Sequence, residues 1–236
     1  MRGETPFNKD IETTGHYLYT GPNAPLSARL ANLNQSKAIF SFIPTETKTI
    51  LDVGCGDGTY TEELWEYGFE KIKGIDAAQE AIKIAQGKER KGLFFTTEKL
   101  NELAITGEKF DLAILRGVLH HVTNPASLAQ DLFGLADIVI VSEPNGLNPI
   151  LKLIEKLSPY HRKHGERSFI PNTIENWFLT AGYVKVHKTR FFTIIPFFFP
   201  QVLARILSRM QTSVEALPIV RCLFCGIQIQ VYEKLK

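Results

Sequence analysis

The run Thr49-Ile50-Leu51-Asp52-Val53-Gly54-Cys55-Gly56-Asp57-Gly58-Thr59 constrains the fold more than any other segment. An apolar, β-branched stretch ends in three glycines at alternate positions, and a helical pattern begins at once, from Tyr60 to Tyr67. That order reads as strand, tight turn and helix start. Side chains in such a turn would keep the backbone away from a ligand, and glycine removes that obstacle. The first helical turn then presents N–H groups that have no intrahelical partner. A second apolar stretch, Lys71 to Ile75, ends in Asp76, 22 positions after Gly54. An acid at this offset can accept hydrogen bonds from two ribose hydroxyls. Together these features predict a nucleoside-containing cofactor at the carboxyl edge of a parallel sheet.

The kind of nucleoside follows from charge. In the dinucleotide pattern G-x-G-x-x-G, the third glycine would fall on Thr59. The order here is D-x-G-x-G-x-G instead. Asp52, and Asp57 with it, would repel a pyrophosphate but not a cofactor that carries an ammonium and a sulfonium. S-adenosylmethionine has both groups and an adenosine. Leu51-Asp52-Val53-Gly54-Cys55-Gly56-Asp57-Gly58 resembles the first motif of class I SAM-dependent methyltransferases. Phe110-Asp111-Leu112-Ala113-Ile114-Leu115-Arg116-Gly117-Val118-Leu119-His120-His121-Val122 resembles the fourth-strand segment of their small-molecule branch. The likeness extends over about residues 48 to 190. It implies an α/β Rossmann-like fold with a seven-stranded, mostly parallel sheet, helices on both faces and the last strand antiparallel. It also implies S-adenosylmethionine as cofactor, S-adenosylhomocysteine as product, and cofactor contacts at Asp52, Gly54, Cys55, Gly56, Gly58, Asp76, Ala77, Thr97, Leu115 and Arg116. At Leu115 and Arg116 the contacts would come from backbone carbonyls beside the transferring methyl. Many relatives place an acid four residues before a leucine after the third strand, to meet the adenine amino group. Leu100 fits that leucine, but the matching position is Thr96, so Thr96, Thr97 or backbone groups would have to take that contact.

Length and composition agree with one such domain. The chain has 236 residues, of which 44% are hydrophobic, enough for an ample core. A formal charge of +2 argues against bulk electrostatic capture of nucleic acid. Cys55, Cys222 and Cys225 form no disulfide framework. The Cys222-x-x-Cys225 pair has no neighbouring His or Cys to complete a zinc site. It stands at the opening of an apparent strand, Leu223 to Tyr232, and is read as structural. Met1 to Asp10 is polar, so no secretory signal is expected there. No apolar run reaches the ~18 residues a membrane span needs. The expected location is cytoplasmic, with membrane association open.

Strands are expected at 48–53, 71–75, 92–96, 110–115, 137–142, 183–190 and 224–232. Helices are expected near 60–67, 77–87, 124–134 and 171–181, and this alternation itself implies a parallel sheet with both faces covered. Pro125 behind Asn124 suits a first helical turn, and Gly182 suits a helix stop. Residues 1–47 would form a lid with a helix from Ser27 to Phe42, packing Leu30, Leu33, Ala38, Ile39 and Phe42 on the sheet edge. Residues 48–142 would form the cofactor-binding core. Residues 143–170, with a helix from Pro149 to Leu157, and 191–218, with a helix from Gln201 to Met210, would be acceptor-side inserts.

Several side chains have two readings. Arg29 could form a bidentate pair with the cofactor carboxylate or be a solvated surface residue. His120 or His121 could deprotonate a hydroxyl or amine acceptor, or simply pack and cap the next helix. His161, Arg162, Lys163, His164 and Arg167 could bind an anionic acceptor or form a solvated face. The stretch 191–200 holds five phenylalanines and two isoleucines. It could be core, the wall of an apolar pocket, or a peripheral membrane contact.

The reading is therefore a SAM-dependent methyltransferase that acts by direct displacement on a small or lipid-like acceptor at an O, N or C atom, with no metal. The alternatives are an RNA, DNA or protein methyltransferase, an NAD-dependent oxidoreductase, and a non-catalytic SAM-binding or membrane-surface module. DNA amino-methylating enzymes carry Asn or Asp followed by Pro-Pro and an aromatic where this chain has Arg116-Gly117-Val118-Leu119. The oxidoreductase is disfavoured by Thr59 and the acids of the loop.

Overall fold

A computed structural model describes residues 24–158, 167–197 and 199–235. Helix α1 (Leu26–Phe40) leads into β1 (Ile50–Val53), α2 (Thr59–Tyr67), β2 (Ile72–Ile75), α3 (Gln79–Gln86), β3 (Leu93–Thr96), α4 (Leu100–Thr106) and β4 (Phe110–Arg116). A 3₁₀ turn (Leu119–His121), α5 (Pro125–Phe133), β5 (Ala136–Pro144), α6 (Pro149–Leu157) and α7 (Pro171–Ala181) follow. The chain ends with β6 (Tyr183–Lys185), β7 (Arg190–Phe192), α8 (Gln201–Ala216), α9 (Pro218–Phe224) and β8 (Ile227–Lys234). Local chemistry sets the expected boundaries. Asn124 accepts a hydrogen bond from the Ser127 N–H ahead of Pro125, and Gly182 ends α7 in the left-handed region at φ 106°.

The sheet order is β3-β2-β1-β4-β5-β8-β6, with β7 also paired to β8. The first five positions are parallel. β8 runs antiparallel between β5 and the β6/β7 pair. Side chains alternate across each strand, so two layers of core form. Leu51, Val53, Leu115 and Val141 face α4, α5 and α7, whereas Ile50, Ile72, Leu112 and Ile140 face α1, α2 and α3.

Four expectations need correction. The strand expected at 183–190 is two strands. Lys185 pairs with Tyr232 and Arg190 with Ile229, so five steps on one strand meet three on the other. The surplus residues loop out, and Lys185 Nζ donates to Thr189 Oγ1 across the loop at 2.8 Å. The strand expected from Leu223 starts at Ile227, because Pro218 opens helix α9 and Cys222 lies within it. Helix α8 continues past Met210 to Ala216.

The fourth correction concerns α1. Its end packs as expected, with Ala38, Ile39 and the following Phe42 on the apolar core. Ahead of them the buried face is small and polar, with Ser27, Ala28, Ala31, Asn32, Gln35 and Ser36, while Leu33 is exposed. There the surface it covers is polar too, and hydrogen bonds take the place of apolar packing. Gln35 Nε2 donates to Ser142 Oγ at 2.8 Å, and Ser27 Oγ donates to the Phe197 carbonyl at 2.7 Å. In the 191–200 stretch, Phe191, Phe192 and Ile195 are buried and Phe197 and Phe199 half-buried, so these residues act as core. Among the described residues, no helix is long and apolar enough to cross a membrane.

Candidate active site

The chain order of strands reverses between β1 and β4. Loops leaving these two neighbours diverge, which opens a crevice at the carboxyl edge of the sheet. Val53 pairs with both Ile75 and Leu115, so the residues after β1, β2 and β4 emerge side by side.

All three loop glycines adopt left-handed backbone, with φ of 73° at Gly54, 57° at Gly56 and 75° at Gly58. A Cβ on Gly54 would lie 2.6 Å from Val118 Cγ2, and one on Gly58 would lie 2.8 Å from the Phe95 ring. The loop is tied to its neighbours by backbone. The Gly54 and Cys55 N–H groups both donate to the Ile75 carbonyl, at 2.7 and 3.0 Å. Cys55 turns its thiol into the core beneath. Asp57 Oδ1 accepts from the Thr59 N–H at 3.1 Å, a local turn bond just ahead of α2.

Asp76 closes the loop from the β2 side. Its Oδ2 accepts from the Gly56 N–H at 2.9 Å, and its Oδ1 accepts from the Ala78 N–H at 2.7 Å. Burial pushes the carboxyl pKa up, opposed by backbone N–H bonds from Ala78, Gly56 and Ala77. A carboxylate has about four acceptor positions, so a diol hydroxyl could still be bound there. Ala77 and Thr97 lie exposed after β2 and β3.

Asp52 is buried below the loop. Its Oδ2 accepts from Thr61 Oγ1 at 2.6 Å. Desolvation raises its pKa to about 6, opposed by the Thr61 bond and by Arg116, and helped by Asp76. The Cys55 thiol is pushed up first by burial and then by the negative charge of Asp52, Asp76 and Asp57. Three carboxylates around one glycine loop make it hostile to a pyrophosphate and hospitable to a cation. The loop, the diol acceptor and the acid set therefore fit S-adenosylmethionine better than a dinucleotide.

Arg116 has a role that the strand pattern did not reveal. Its side chain turns back from the end of β4 onto α1, donating to Ser36 Oγ at 2.8 Å and to the Asn32 carbonyl at 3.0 Å. Its guanidinium stacks 3.5 Å above the centre of the Tyr60 ring. Asp52, Gly54, Cys55, Tyr60 and Arg116 line a small cavity roofed by Ile39 and Phe40 of α1. Any cofactor contact at Leu115 or Arg116 must therefore come from backbone, because the Leu115 side chain is in the core and the guanidinium is engaged.

Beyond β4, Gly117 turns with φ 70°, and Val118 packs against Gly54. Glu143, near the end of β5, is buried beside this turn and was not singled out from sequence. Its Oε1 accepts from the Val118 and Leu119 N–H groups at 2.7 Å each, and its Oε2 lies 2.7 Å from His120 Nδ1. His120 is thereby fixed at the crevice with Nδ1–H directed at the carboxylate, which makes Nε2 its basic nitrogen. His121 is exposed, with its ring centre 3.8 Å from that of His120. The only sequence signal for Glu143 was an acid closing the apolar run of β5.

Other candidates lie apart from this crevice. Arg29 is exposed, off the buried face of α1. Arg167 is exposed and stacks over Phe169. His161 to His164 fall outside the described residues, as do the first 23 residues of the expected lid. Cys225 is buried, and its carbonyl accepts from the Asn145 and Asn148 side chains, so the cysteine pair sits in a structural corner.

Residues 24–188 match the model of a methyltransferase domain family. The ubiquinone biosynthesis O-methyltransferase of Arabidopsis thaliana mitochondria is 31% identical over 130 residues, which is 53% of this chain and 38% of that protein. The chain thus aligns with well under half the length of that curated relative. A SAM-dependent methyltransferase of Thermotoga maritima superposes with a TM-score of 0.68 at 16% identity, over 97% of this chain and 98% of its own. The magnesium protoporphyrin IX methyltransferase of Synechocystis, solved with bound S-adenosylhomocysteine, gives a TM-score of 0.63 at 18% identity, over 97% of each chain.

Proposed function

The chain belongs to the SAM-dependent methyltransferase family, and from that premise we propose that it methylates a hydroxyl oxygen of a small, lipid-like acceptor. S-adenosylmethionine supplies an activated methyl group, which the acceptor takes by in-line displacement at carbon. The glycine loop lets backbone approach the cofactor, Asp76 accepts the ribose hydroxyls, and Asp52 with its neighbours favours the cationic end. Ala77 and Thr97 would border the adenosine. Much of the rate would come from holding acceptor and methyl at near-attack distance.

The observation that carries the acceptor reading is the Glu143–His120 pair beside the glycine loop. A hydroxyl must lose a proton as its oxygen bonds to carbon. His120 Nε2 accepts that proton, and Glu143 holds the ring in the required tautomer and stabilises the charged imidazole. His121 borders the same turn from its exposed side. The likeness to a ubiquinone biosynthesis O-methyltransferase supports an oxygen acceptor. Residues 143–170 and 191–218 would form the acceptor side of the domain.

The test is methyl-labelled S-adenosylmethionine offered with a panel of prenylated and unprenylated phenols, small amines, bulk RNA and protein. Label should appear on a phenol oxygen and should depend on His120. Label confined to RNA or protein, or to amines, would refute the acceptor class.

A further inference from the structure

Among the described residues, exposed apolar side chains gather on α8, α9 and α6. Helices α6 and α9 bury no residue, and α8 buries only Ala204 of its sixteen. Yet these helices are not polar. Val202, Ile206 and Met210 recur at four-residue steps on one outward stripe of α8, each about half exposed or more. Ile219 on α9 is 76% exposed and Leu157 on α6 is 67% exposed. α9 touches both α8 and α6, which places the three helices together. A soluble surface seldom carries so much contiguous apolar area without a partner.

The charges on these helices are sorted. Both acids turn inward. Glu155 Oε1 accepts from the Ser168 N–H at 2.7 Å, and Glu215 Oε1 accepts from the Thr193 N–H at 3.0 Å. The exposed charges are cations: Lys156 on α6, and Arg205 and Arg209 on α8. On α8 the two arginines border the apolar stripe. Exposed apolar stripes edged by cations, with no exposed acid, match a bilayer surface that offers acyl chains beneath anionic headgroups. A protein partner would need no such one-sided charge.

We infer that α8 and α9, with α6 beside them, form a peripheral docking face for an anionic lipid bilayer. In the stretch immediately before α8, Phe191, Phe192 and Ile195 are core, which leaves the helices that follow as the exposed apolar surface. α8 also packs on α1, with Asn34 Nδ2 donating to Gln211 Oε1 at 2.8 Å. That bond joins the docking face to the helix that roofs the site. The inference stands independently of which acceptor is methylated.

The test is co-sedimentation of the full chain with vesicles of phosphatidylcholine alone and of phosphatidylcholine mixed with phosphatidylglycerol. Three proteins are compared: wild type, Ile206→Glu/Met210→Glu and Arg205→Glu/Arg209→Glu. All four positions are exposed, so the variants should retain the wild-type melting midpoint and S-adenosylhomocysteine affinity, which separates a lost docking face from a lost site. Wild type should partition into the anionic vesicles, less so as salt rises, and each variant should lose about tenfold or more of that partition. Binding to neither vesicle, equal binding to both, or a solution dimer that Ile206→Glu dissociates would overturn the inference.

Discussion

Replacing Asp52 by Asn should change how stability depends on pH. The Asp52 carboxyl is buried, and desolvation pushes its pKa up to about 6 from an ordinary 3.8. The folded chain therefore holds this proton more tightly than the unfolded chain. Between those two values unfolding releases the proton, so ionising Asp52 lowers stability as pH rises and the full cost is reached above about pH 6. At 1.36 kcal/mol per pKa unit, the cost approaches ~3 kcal/mol at neutral pH. At pH 4.5 about 1 kcal/mol of it is already present, so ~2 kcal/mol should appear between pH 4.5 and 7.5. Asn is nearly isosteric, can still accept the Thr61 hydroxyl and does not titrate. Urea unfolding of wild type and Asp52→Asn at the two pH values isolates this group, because the carboxylates apart from its neighbour Asp76 titrate alike in both proteins. The variant should gain about 2 kcal/mol on wild type between pH 4.5 and 7.5. A constant offset between the two proteins would refute the assignment of Asp52 as a buried, under-compensated carboxylate. The same charge would favour a cationic ligand beneath the loop.

Asp76→Asn should weaken S-adenosylhomocysteine binding by roughly 1–3 kcal/mol, the scale of hydrogen bonds to a charged group. Titration calorimetry reads this directly, and an unchanged dissociation constant would remove Asp76 from the ribose site. Glu143→Gln should lower kcat on a hydroxyl acceptor by about 10- to 100-fold, with little change in cofactor affinity, because His120 loses its orienting carboxylate. The deficit should shrink at pH values where a phenolic acceptor is already ionised, and a uniform loss across pH would instead point to a structural defect.

What sequence disclosed, and what it hid, follows the range of the interactions. Gly54, Gly56 and Gly58 were legible because a left-handed turn at three alternate positions is a local demand that glycine meets best. Asn124-Pro125 and Gly182 were legible for the same reason. The buried face of α1 ahead of Ala38 was not, because apolar spacing marks a helix face only where its partner surface is apolar. Here the partners are Arg116, Ser142 and the Phe197 carbonyl, and small polar residues suit them. The break between β6 and β7 depends on β8, about 40 residues downstream. Pro218 did announce helix α9 locally, yet the apolar residues Leu223 and Phe224 were read into the alternating strand pattern Ile227 to Val231, which extended it backwards. Glu143 was hidden because its partners lie 23 to 25 residues away and only the parallel pairing of β4 with β5 brings them together.

The most direct measurement on the central claim is isothermal titration of the full chain with S-adenosylhomocysteine, with NADH as the control ligand. Saturable micromolar binding of S-adenosylhomocysteine, weakened in Asp76→Asn, with no heat from NADH, is the expected result. Saturable NADH binding, or no S-adenosylhomocysteine binding by a chain that melts cooperatively, would contradict the assignment of the glycine loop and Asp76 as the site of a methyl-donor cofactor.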